Sequence, residues 1–139
     1  MTEIGEPATL DTNVAFYALT ESAKTSAATA CLRASAFLSV QVLNEYANVA
    51  VRKRQRSWSQ VAEDIDELRQ AVARIVPISE NANGDALRIA ARYNLSFYDA
   101  LMLAVALSGG ARTFYSEDMQ HDLTIDGSLR VVNPFHPEA

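Results

Sequence analysis

Two acidic residues each follow a short apolar run that predicts a buried β-strand. Asp11 comes directly after residues 8–10, and Asp118 stands three residues after the run at 111–115. Strands of a parallel sheet have their carboxyl ends at one edge, and ligands bind at that edge in open α/β folds. We therefore expect the carboxylates of Asp11 and Asp118 to converge. The simpler interpretation of Asp11 is an N-cap for the helix that follows it.

Two further acids lie in predicted helices. Glu45 is in the middle of a helix predicted over residues 40–53, where a glutamate is usually a solvated surface residue. Asp99 begins the most apolar helix of the chain, and the spacing Ser96-x-x-Asp99 is also that of a capping box. An ionised carboxylate beside so apolar a helix is costly unless it is paired or binds a metal, which favours a functional role for Asp99.

Converging carboxylates are the preferred ligands of hard cations such as Mg²⁺ and Mn²⁺. The two histidines, His121 and His136, have no partner at a zinc-ligand spacing, so zinc chemistry is not predicted. The sequence contains neither a Gly-rich phosphate-binding loop nor a Gly-x-Ser-x-Gly nucleophile motif. Cys31 lies in an alanine-rich stretch and is predicted to be a small buried side chain rather than a nucleophile.

The composition is that of a soluble globular protein. The chain has 139 residues, of which 49% are hydrophobic and 21% charged, and we expect one domain over residues 1–139 with a loose lead-in at 1–7. The formal net charge of -5 differs from the basic excess of general nucleic-acid binders. We expect no membrane span and no signal peptide, and a single cysteine is compatible with the reducing cytoplasm.

Short apolar strands alternate with helical patterns along the chain. This order predicts an α/β fold with a mainly parallel sheet flanked by helices. Pro77 indicates that the third strand lies at an edge or ends there. The predicted strands are residues 8–10, 36–39, 75–78, 111–115 and 129–132; the predicted helices are 14–19, 21–34, 40–53, 61–73, 81–93 and 96–107, with a turn at 57–59.

Four short motifs together resemble the acidic motifs of the PIN-domain nucleases, and in particular the VapC-type toxins of toxin–antitoxin pairs. They are Leu10-Asp11-Thr12-Asn13-Val14, Leu43-Asn44-Glu45, Tyr98-Asp99-Ala100 and Ser116-Glu117-Asp118. The resemblance runs from residue 8 to residue 135. It implies a PIN-domain fold, which is a three-layer α/β/α sandwich around about five mainly parallel strands.

The resemblance also implies the functional residues. The catalytic and metal-binding set would be Asp11, Glu45, Asp99 and Asp118. Glu117, beside Asp118, and Asp122 are alternatives for the fourth acid. Thr12, Asn13 and Ser116 match small polar positions that would orient carboxylates or waters, although they equally suit helix caps and turns. With one or two Mg²⁺ or Mn²⁺ ions, such a set hydrolyses RNA through a metal-activated water.

The implied partners are an RNA substrate, a VapB-type antitoxin that presents an arginine to the acids, and a second copy of the chain in the cytoplasm. The candidates for a homodimer interface are Phe16, Tyr17, Leu19 and Leu32. Three alternatives are a PIN-like nuclease of RNA processing, a catalytically silent protein-binding module, and a doubly wound signalling domain with one metal-binding aspartate.

The densest basic run is Arg52-Lys53-Arg54-Gln55-Arg56, and Trp58 follows it. One interpretation is a strip that contacts phosphates beside an aromatic side chain on which a base stacks. The other is a solvated helix end, where cations are favourable, followed by a core tryptophan. The second interpretation is the expected one.

Overall fold

The computed structural model describes residues 6–137, so residues 1–5 of the predicted lead-in lie outside the described residues. The described part has helices and strands in the alternating order of an α/β fold. In chain order they are β1 (Ala8–Leu10), α1 (Thr12–Leu19), α2 (Thr25–Ala34), β2 (Phe37–Ser39), α3 (Val40–Arg54), α4 (Trp58–Ala71), β3 (Arg74–Val76), α5 (Glu80–Tyr93), α6 (Phe97–Ser108), β4 (Thr113–Tyr115), β5 (Thr124–Ile125) and β6 (Leu129–Val132).

The sheet is mainly parallel, as predicted. Strand β4 pairs in parallel with β1 on one side and β6 on the other, and β5 closes the order β1-β4-β6-β5 by antiparallel pairing with β6. Strands β2 and β3 form a second parallel pair. This pair reaches β1 through a bridge between Ala8 and Ser35 and a 2.8 Å hydrogen bond from the Ala36 N–H to the Ala8 carbonyl. All five predicted strands are present, and β3 ends before Pro77.

Strand β5 is the element that the sequence did not predict. It has only two residues, which is too short for the alternation of apolar and polar residues that identifies a strand. Its antiparallel pairing with β6 defines it, with Thr124 opposite Arg130 and Ile125 opposite Leu129. The sheet therefore gains an antiparallel edge strand.

Helix α6 lies in the core, as its apolar character predicts. Residues 100–106 are all buried, and the helix packs against α5 and β2. A helix with apolar residues on every side must be covered on several sides. The helix ends at Ser108 and is capped by Gly109, as the Gly109-Gly110 pair predicts. The strand edge and this helix together fix the position of Asp99.

A buried ion pair holds the turn between α3 and α4. Asp64 is 7% exposed. Arg56 donates two hydrogen bonds of 2.7 Å to its two oxygens, and the Tyr46 hydroxyl donates a third of 2.9 Å. The buried carboxylate thus has both a counter-charge and hydrogen-bond donors, which is the condition for burying an acid.

The start of α4 corrects two predictions. The helix begins at Trp58 rather than at residue 61, because Ser57 and Gln60 form a capping box. The turn predicted at 57–59 is therefore wrong. The core position predicted for Trp58 is also wrong, since its side chain is 69% exposed. As the first residue of the helix, Trp58 has no preceding turn to pack against.

Two of the four residues proposed for a dimer interface are in the core. Phe16 is 3% exposed and Leu32 is 6% exposed, and the Phe16 ring stacks on Tyr46 with centroids 4.2 Å apart. These two residues were expected to be exposed, and this is wrong because both belong to the hydrophobic core, where Phe16 packs against α3. Tyr17 and Leu19 are partly buried against the same core.

Cys31 is buried, as predicted, and burial raises the pKa of its thiol to about 11. A thiol with so high a pKa is a poor nucleophile.

None of the helices within residues 6–137 combines the length and the apolar character that crossing a membrane requires.

Gly109 is expected to tolerate no side chain. A Cβ at this position would lie 2.4 Å from Cζ of Phe37, which is fully buried in the core. Gly109→Ala should therefore lower the free energy of unfolding by about 1–3 kcal/mol, the usual cost of overpacking. Gly84→Ala is the control, because its Cβ would meet nothing within 4 Å in the middle of α5. It should stabilise the protein by about 0.5–1 kcal/mol. Urea denaturation measures both, and equal stabilities would contradict the packing of Phe37.

Candidate active site

The four acids of the sequence motifs line one cleft. It has a volume of about 340 Å³, and no lysine, arginine or histidine is among its lining residues. Its lining residues are Asp11, Thr12, Asn13, Glu45, Asn48, Val49, Asp99 and Asp118. The acids come from four places in the chain: the end of β1, the middle of α3, the first turn of α6 and the segment after β4. The expected convergence of Asp11 and Asp118 at the strand edge is thus present.

Asp11 both caps α1 and lines the cleft, so the capping role does not exclude a place in the cleft. One carboxylate oxygen accepts a 2.8 Å hydrogen bond from the Thr12 N–H, and the other accepts a 3.1 Å bond from the Ser116 hydroxyl. Asp11 is 8% exposed. Burial raises its pKa to about 6, and the charges of Glu45 and Asp99 add to the rise, while the two hydrogen bonds oppose it.

Glu45 is held by two neighbours rather than left in solvent. Its Oε1 accepts a 2.7 Å hydrogen bond from the Thr12 hydroxyl, and its Oε2 accepts a 3.3 Å bond from the Gln41 amide. Thr12 therefore contacts two of the acids, Asp11 through its backbone and Glu45 through its side chain. The half-buried Glu45 faces the cleft and is not a solvated surface acid.

Asp99 makes only half of the predicted capping box. Its backbone N–H donates a 3.3 Å hydrogen bond to the Ser96 hydroxyl, so Ser96 caps α6. The reciprocal bond, from the Ser96 N–H to the Asp99 carboxylate, is not among the hydrogen bonds of residues 6–137. The carboxylate lines the cleft instead.

Asp118, not Glu117 or Asp122, is the acid of its segment that faces the cleft. Its Oδ2 accepts a 2.6 Å hydrogen bond from the Asn13 amide. Asp122 lies outside the cleft lining and pairs with Arg130, whose hydrogen bonds lower the pKa of that carboxyl. The Asp118 carboxylate, although exposed, thus has a fixed partner on α1.

Glu117 points away from the cleft and anchors the segment. It accepts hydrogen bonds from the Tyr17 hydroxyl (2.9 Å) and from the Lys24 ammonium. Partial burial would raise the pKa of Glu117, but these bonds outweigh it and the pKa is lowered. The Lys24 ammonium also lies 4.7 Å from the centroid of the Tyr17 ring and 5.1 Å from that of Phe135. This cluster fixes the backbone on which Asp118 stands.

Sequence reasoning missed Asn48 and Val49, which line the cleft beside Glu45. The signal that could have found them is helical spacing. Residues three and four positions after Glu45 lie on the same face of α3 as the carboxylate. Asn48 adds an amide, a neutral oxygen donor, to the acidic cleft.

The donors of the cleft fit a hard divalent cation. Carboxylate, amide and hydroxyl oxygens are the ligands such ions take, and the lining residues contain no competing cation. Within the part of the chain that the structure describes, no three acidic, histidine or cysteine side chains are gathered closely enough to hold a metal ion. Mg²⁺ commonly uses one or two carboxylates and several waters, so a closed cage is not required.

A family model for the PIN domain matches residues 8–124, so the chain belongs to the PIN domain family. The resemblance to this family and its α/β fold are thereby confirmed. A comparison with curated protein sequences finds no match.

Among solved structures, the toxins of toxin–antitoxin pairs share this fold. A toxin–antitoxin complex from Klebsiella pneumoniae is 21% identical, with a TM-score of 0.70 over 92% of this chain and 98% of that chain. VapC20 of Mycobacterium tuberculosis, a toxin that cleaves the sarcin-ricin loop, is 18% identical, with a TM-score of 0.61 over 77% and 86%. VapBC2 of Rickettsia felis, bound to a DNA fragment from its promoter, is 16% identical, with a TM-score of 0.63 over 89% and 96%.

Proposed function

We propose that this protein is the toxin of a toxin–antitoxin pair and a Mg²⁺- or Mn²⁺-dependent endoribonuclease. The observation that carries the proposal is the gathering of four carboxylates, from four separate elements, in one cleft whose lining contains no cationic side chain. The charges of Glu45 and Asp99 raise the pKa of the buried Asp11 carboxyl, so placing these acids together does not serve stability. The binding of cations is the chemical reason to keep it.

The residues divide into acids that hold the ion and polar side chains that hold the acids. Asp11, Glu45, Asp99 and Asp118 would be the catalytic and metal-binding set. A bound Mg²⁺ or Mn²⁺ lowers the pKa of its water and neutralises charge on the scissile phosphate. The orienting bonds come from Ser116 to Asp11, from Thr12 to Glu45 and from Asn13 to Asp118.

Positioning and charge are what phosphoryl transfer mainly requires of a protein. No side chain of the cleft has to act as a nucleophile, which agrees with a lining that offers no serine, cysteine or histidine. Asp11 is buried and fixed by two hydrogen bonds, so its carboxylate is already oriented before an ion or a substrate arrives.

The proposed partners follow from the toxins that share the fold. Two of the similar structures are complexes that contain toxin and antitoxin, and one toxin cleaves an RNA loop. For this chain we propose an RNA substrate, a VapB-type antitoxin, self-association as a homodimer and a cytoplasmic location. An arginine of the antitoxin would satisfy the acids, because a guanidinium pairs with a carboxylate through two hydrogen bonds.

The test is cleavage of a mixed RNA pool by antitoxin-free protein in Mg²⁺, Mn²⁺ or EDTA. Cleavage should require the metal and fall by roughly 10³-fold in Asp99→Asn, since the ion supplies several kcal/mol of charge stabilisation. Asp122→Asn is the matched control. It removes an acid of the segment after β4 that lies outside the cleft, at a positive φ that asparagine tolerates.

Two results would contradict the proposal. Equal loss of cleavage in the Asp99 and Asp122 variants would show that the cleft is not the active site. Absence of both metal binding and cleavage in folded protein would instead favour the silent protein-binding module. Calorimetric titration of Mn²⁺ distinguishes this second result from a substrate that the RNA pool lacks.

A further inference from the structure

Trp58 is an exposed aromatic side chain at the first position of α4, directly after the turn from α3. It is the only tryptophan of the chain, and 69% of it is exposed. The turn between α3 and α4 is fixed by the ion pair of Arg56 with the buried Asp64 and by the capping box of Ser57 with Gln60. The Trp58 indole is thus presented to water by a backbone that does not need to rearrange.

Two positive charges beside this turn have no partner. Arg54 lies over the Phe16 ring, 5.2 Å from its centroid, and Arg56 is paired with Asp64. Arg52 and Lys53 are exposed, and no hydrogen bond or ion pair reaches either of them within residues 6–137. Two solvent-exposed cations thus lie in the last turn of α3, five and six positions before Trp58.

Helix α3 connects these residues to the acid cleft. Glu45, Asn48 and Val49 line the cleft from this helix. Arg52 is seven residues after Glu45, which is about two helical turns, so it lies on the same face about 10 Å further along the axis. One face of α3 thus carries carboxylate, amide and guanidinium groups in order, from the cleft to the turn that precedes Trp58.

We propose that a single RNA strand held in the cleft continues along this face of α3, with a backbone phosphate on Arg52 and a base stacked on Trp58. This inference rests on the proposed ribonuclease function and names the path of its substrate. Cationic side chains beside an exposed aromatic ring are the usual surface for single-stranded nucleic acid. In this protein, Arg52 and Lys53 also place positive charge beside an acidic cleft that would otherwise repel RNA. Lys53 lies about 80° round the helix from Glu45 and adds charge at the edge of the path.

The test measures RNA affinity separately from cleavage. The probe is a fluorescein-labelled single-stranded RNA on the order of 12 nucleotides, bound to Asp99→Asn protein in Mg²⁺ so that it remains intact. Trp58→Ala should weaken binding about tenfold, and Trp58→Phe should recover most of the loss because it keeps a stacking ring. Arg52→Gln should reduce the dependence of log K on log salt by about 0.7, the value for one phosphate contact of a single strand.

Trp58 also gives a direct readout, since no other tryptophan contributes to the emission. In protein that retains Trp58, RNA should quench the indole fluorescence with the same midpoint as the anisotropy change. The matched controls are Arg33→Gln, which removes an exposed cation on α2, and Leu87→Ala, which removes a 58% exposed apolar side chain on α5. Neither should change RNA affinity or its salt dependence.

The possible failures are distinguishable. If wild-type protein cleaves RNA but the Arg52 and Trp58 variants bind as tightly as the controls, the path is wrong while the ribonuclease stands. If sedimentation shows that these variants lose affinity only because a dimer dissociates, the surface is an interface between copies and the path is again wrong. If wild-type protein neither binds nor cleaves RNA, the proposed function itself fails.

Discussion

Asp11→Asn should abolish metal-dependent cleavage and at the same time stabilise the metal-free protein at pH 8. Asparagine keeps the shape of the side chain and remains a good N-cap, so its oxygen can still accept the bond from the Thr12 N–H while its amide nitrogen donates to the Ser116 hydroxyl. What disappears is the negative charge. Without the charge that holds the ion, the transition state loses several kcal/mol of stabilisation. The cleavage rate should therefore fall by roughly 10³-fold.

The stability change has the opposite sign because the Asp11 carboxylate is buried without a counter-charge. Its pKa is about 6 in the folded protein, against an ordinary value of 3.8 for an aspartate carboxyl. Between these two pH values the folded state binds more protons than the unfolded state, so stability falls as pH rises through this window. Above pH 6 the ionised Asp11 carboxylate lowers the free energy of unfolding by about 3 kcal/mol, since each pKa unit is worth 1.36 kcal/mol.

Denaturation in EDTA as a function of pH measures this difference. Wild type and Asp11→Asn should be about equally stable at pH 4, and the variant should be the more stable of the two at pH 8. Saturating Mn²⁺ should stabilise the wild type and leave the variant nearly unchanged, because ligand binding to the folded state adds to its stability. A variant that cleaves RNA, or that is less stable than wild type at pH 8, would contradict the assignment of Asp11.

Asp64→Ala is expected to give the largest loss of stability. Asp64 is as buried as Asp11 but is paired with Arg56 and Tyr46. Its removal leaves the buried Tyr46 hydroxyl without an acceptor and opens a cavity at the α3–α4 turn. Leaving the Tyr46 hydroxyl unsatisfied costs about 1–3 kcal/mol, and the lost packing adds to this, so the free energy of unfolding should fall by about 3 kcal/mol.

Asp64→Asn is the control for the Asp64 prediction. It preserves an acceptor for Tyr46 and fills the same space, so it should be distinctly more stable than Asp64→Ala. Arg56 remains able to reach solvent, since 36% of its side chain is exposed. Thermal denaturation at pH 7 compares the two variants, and equal midpoints would mean that the hydrogen bond and the packing contribute little. Asp64 and Asp11 are about equally buried, but only Asp64 has a counter-charge. Comparing Asp64→Asn with Asp11→Asn therefore separates the effect of burial on stability from the effect of the counter-charge.

The fold was predictable because its main signals are local. Apolar runs alternate with helical periodicity, and Ser39 and Asp11 cap helices where the sequence places them. Strand β5 was not predictable, since two residues carry no periodicity and only their pairing with β6 defines them. The start of α4 differs from the prediction because Ser-Trp-Ser is typical of a turn, whereas Ser57 and Gln60 form a capping box that begins the helix at Trp58.

The four acids of the cleft were predicted, but the orientation of neighbouring side chains was not. Glu117 and Asp118 are adjacent in sequence and equally acidic, and nothing local distinguishes them. Their difference comes from distant partners: Asn13 contacts Asp118, whereas Lys24 contacts Glu117. These partners are some 90 to 105 positions away, and only the folded chain brings them together. The catalytic role of the four acids remains a prediction until cleavage is measured.

The position of β6 in the sheet has a consequence for the order of events during translation. This strand lies between β4 and β5, and its Val132 carbonyl accepts a 3.0 Å hydrogen bond from the N–H of Ser116. Ser116 in turn holds the Asp11 carboxylate. A nascent chain cannot complete the cleft until residues 129–132 have left the ribosome, although all four acids emerge earlier. The four acids are therefore synthesised before the strand whose pairing brings them together, and the cleft assembles only after that strand has joined the sheet.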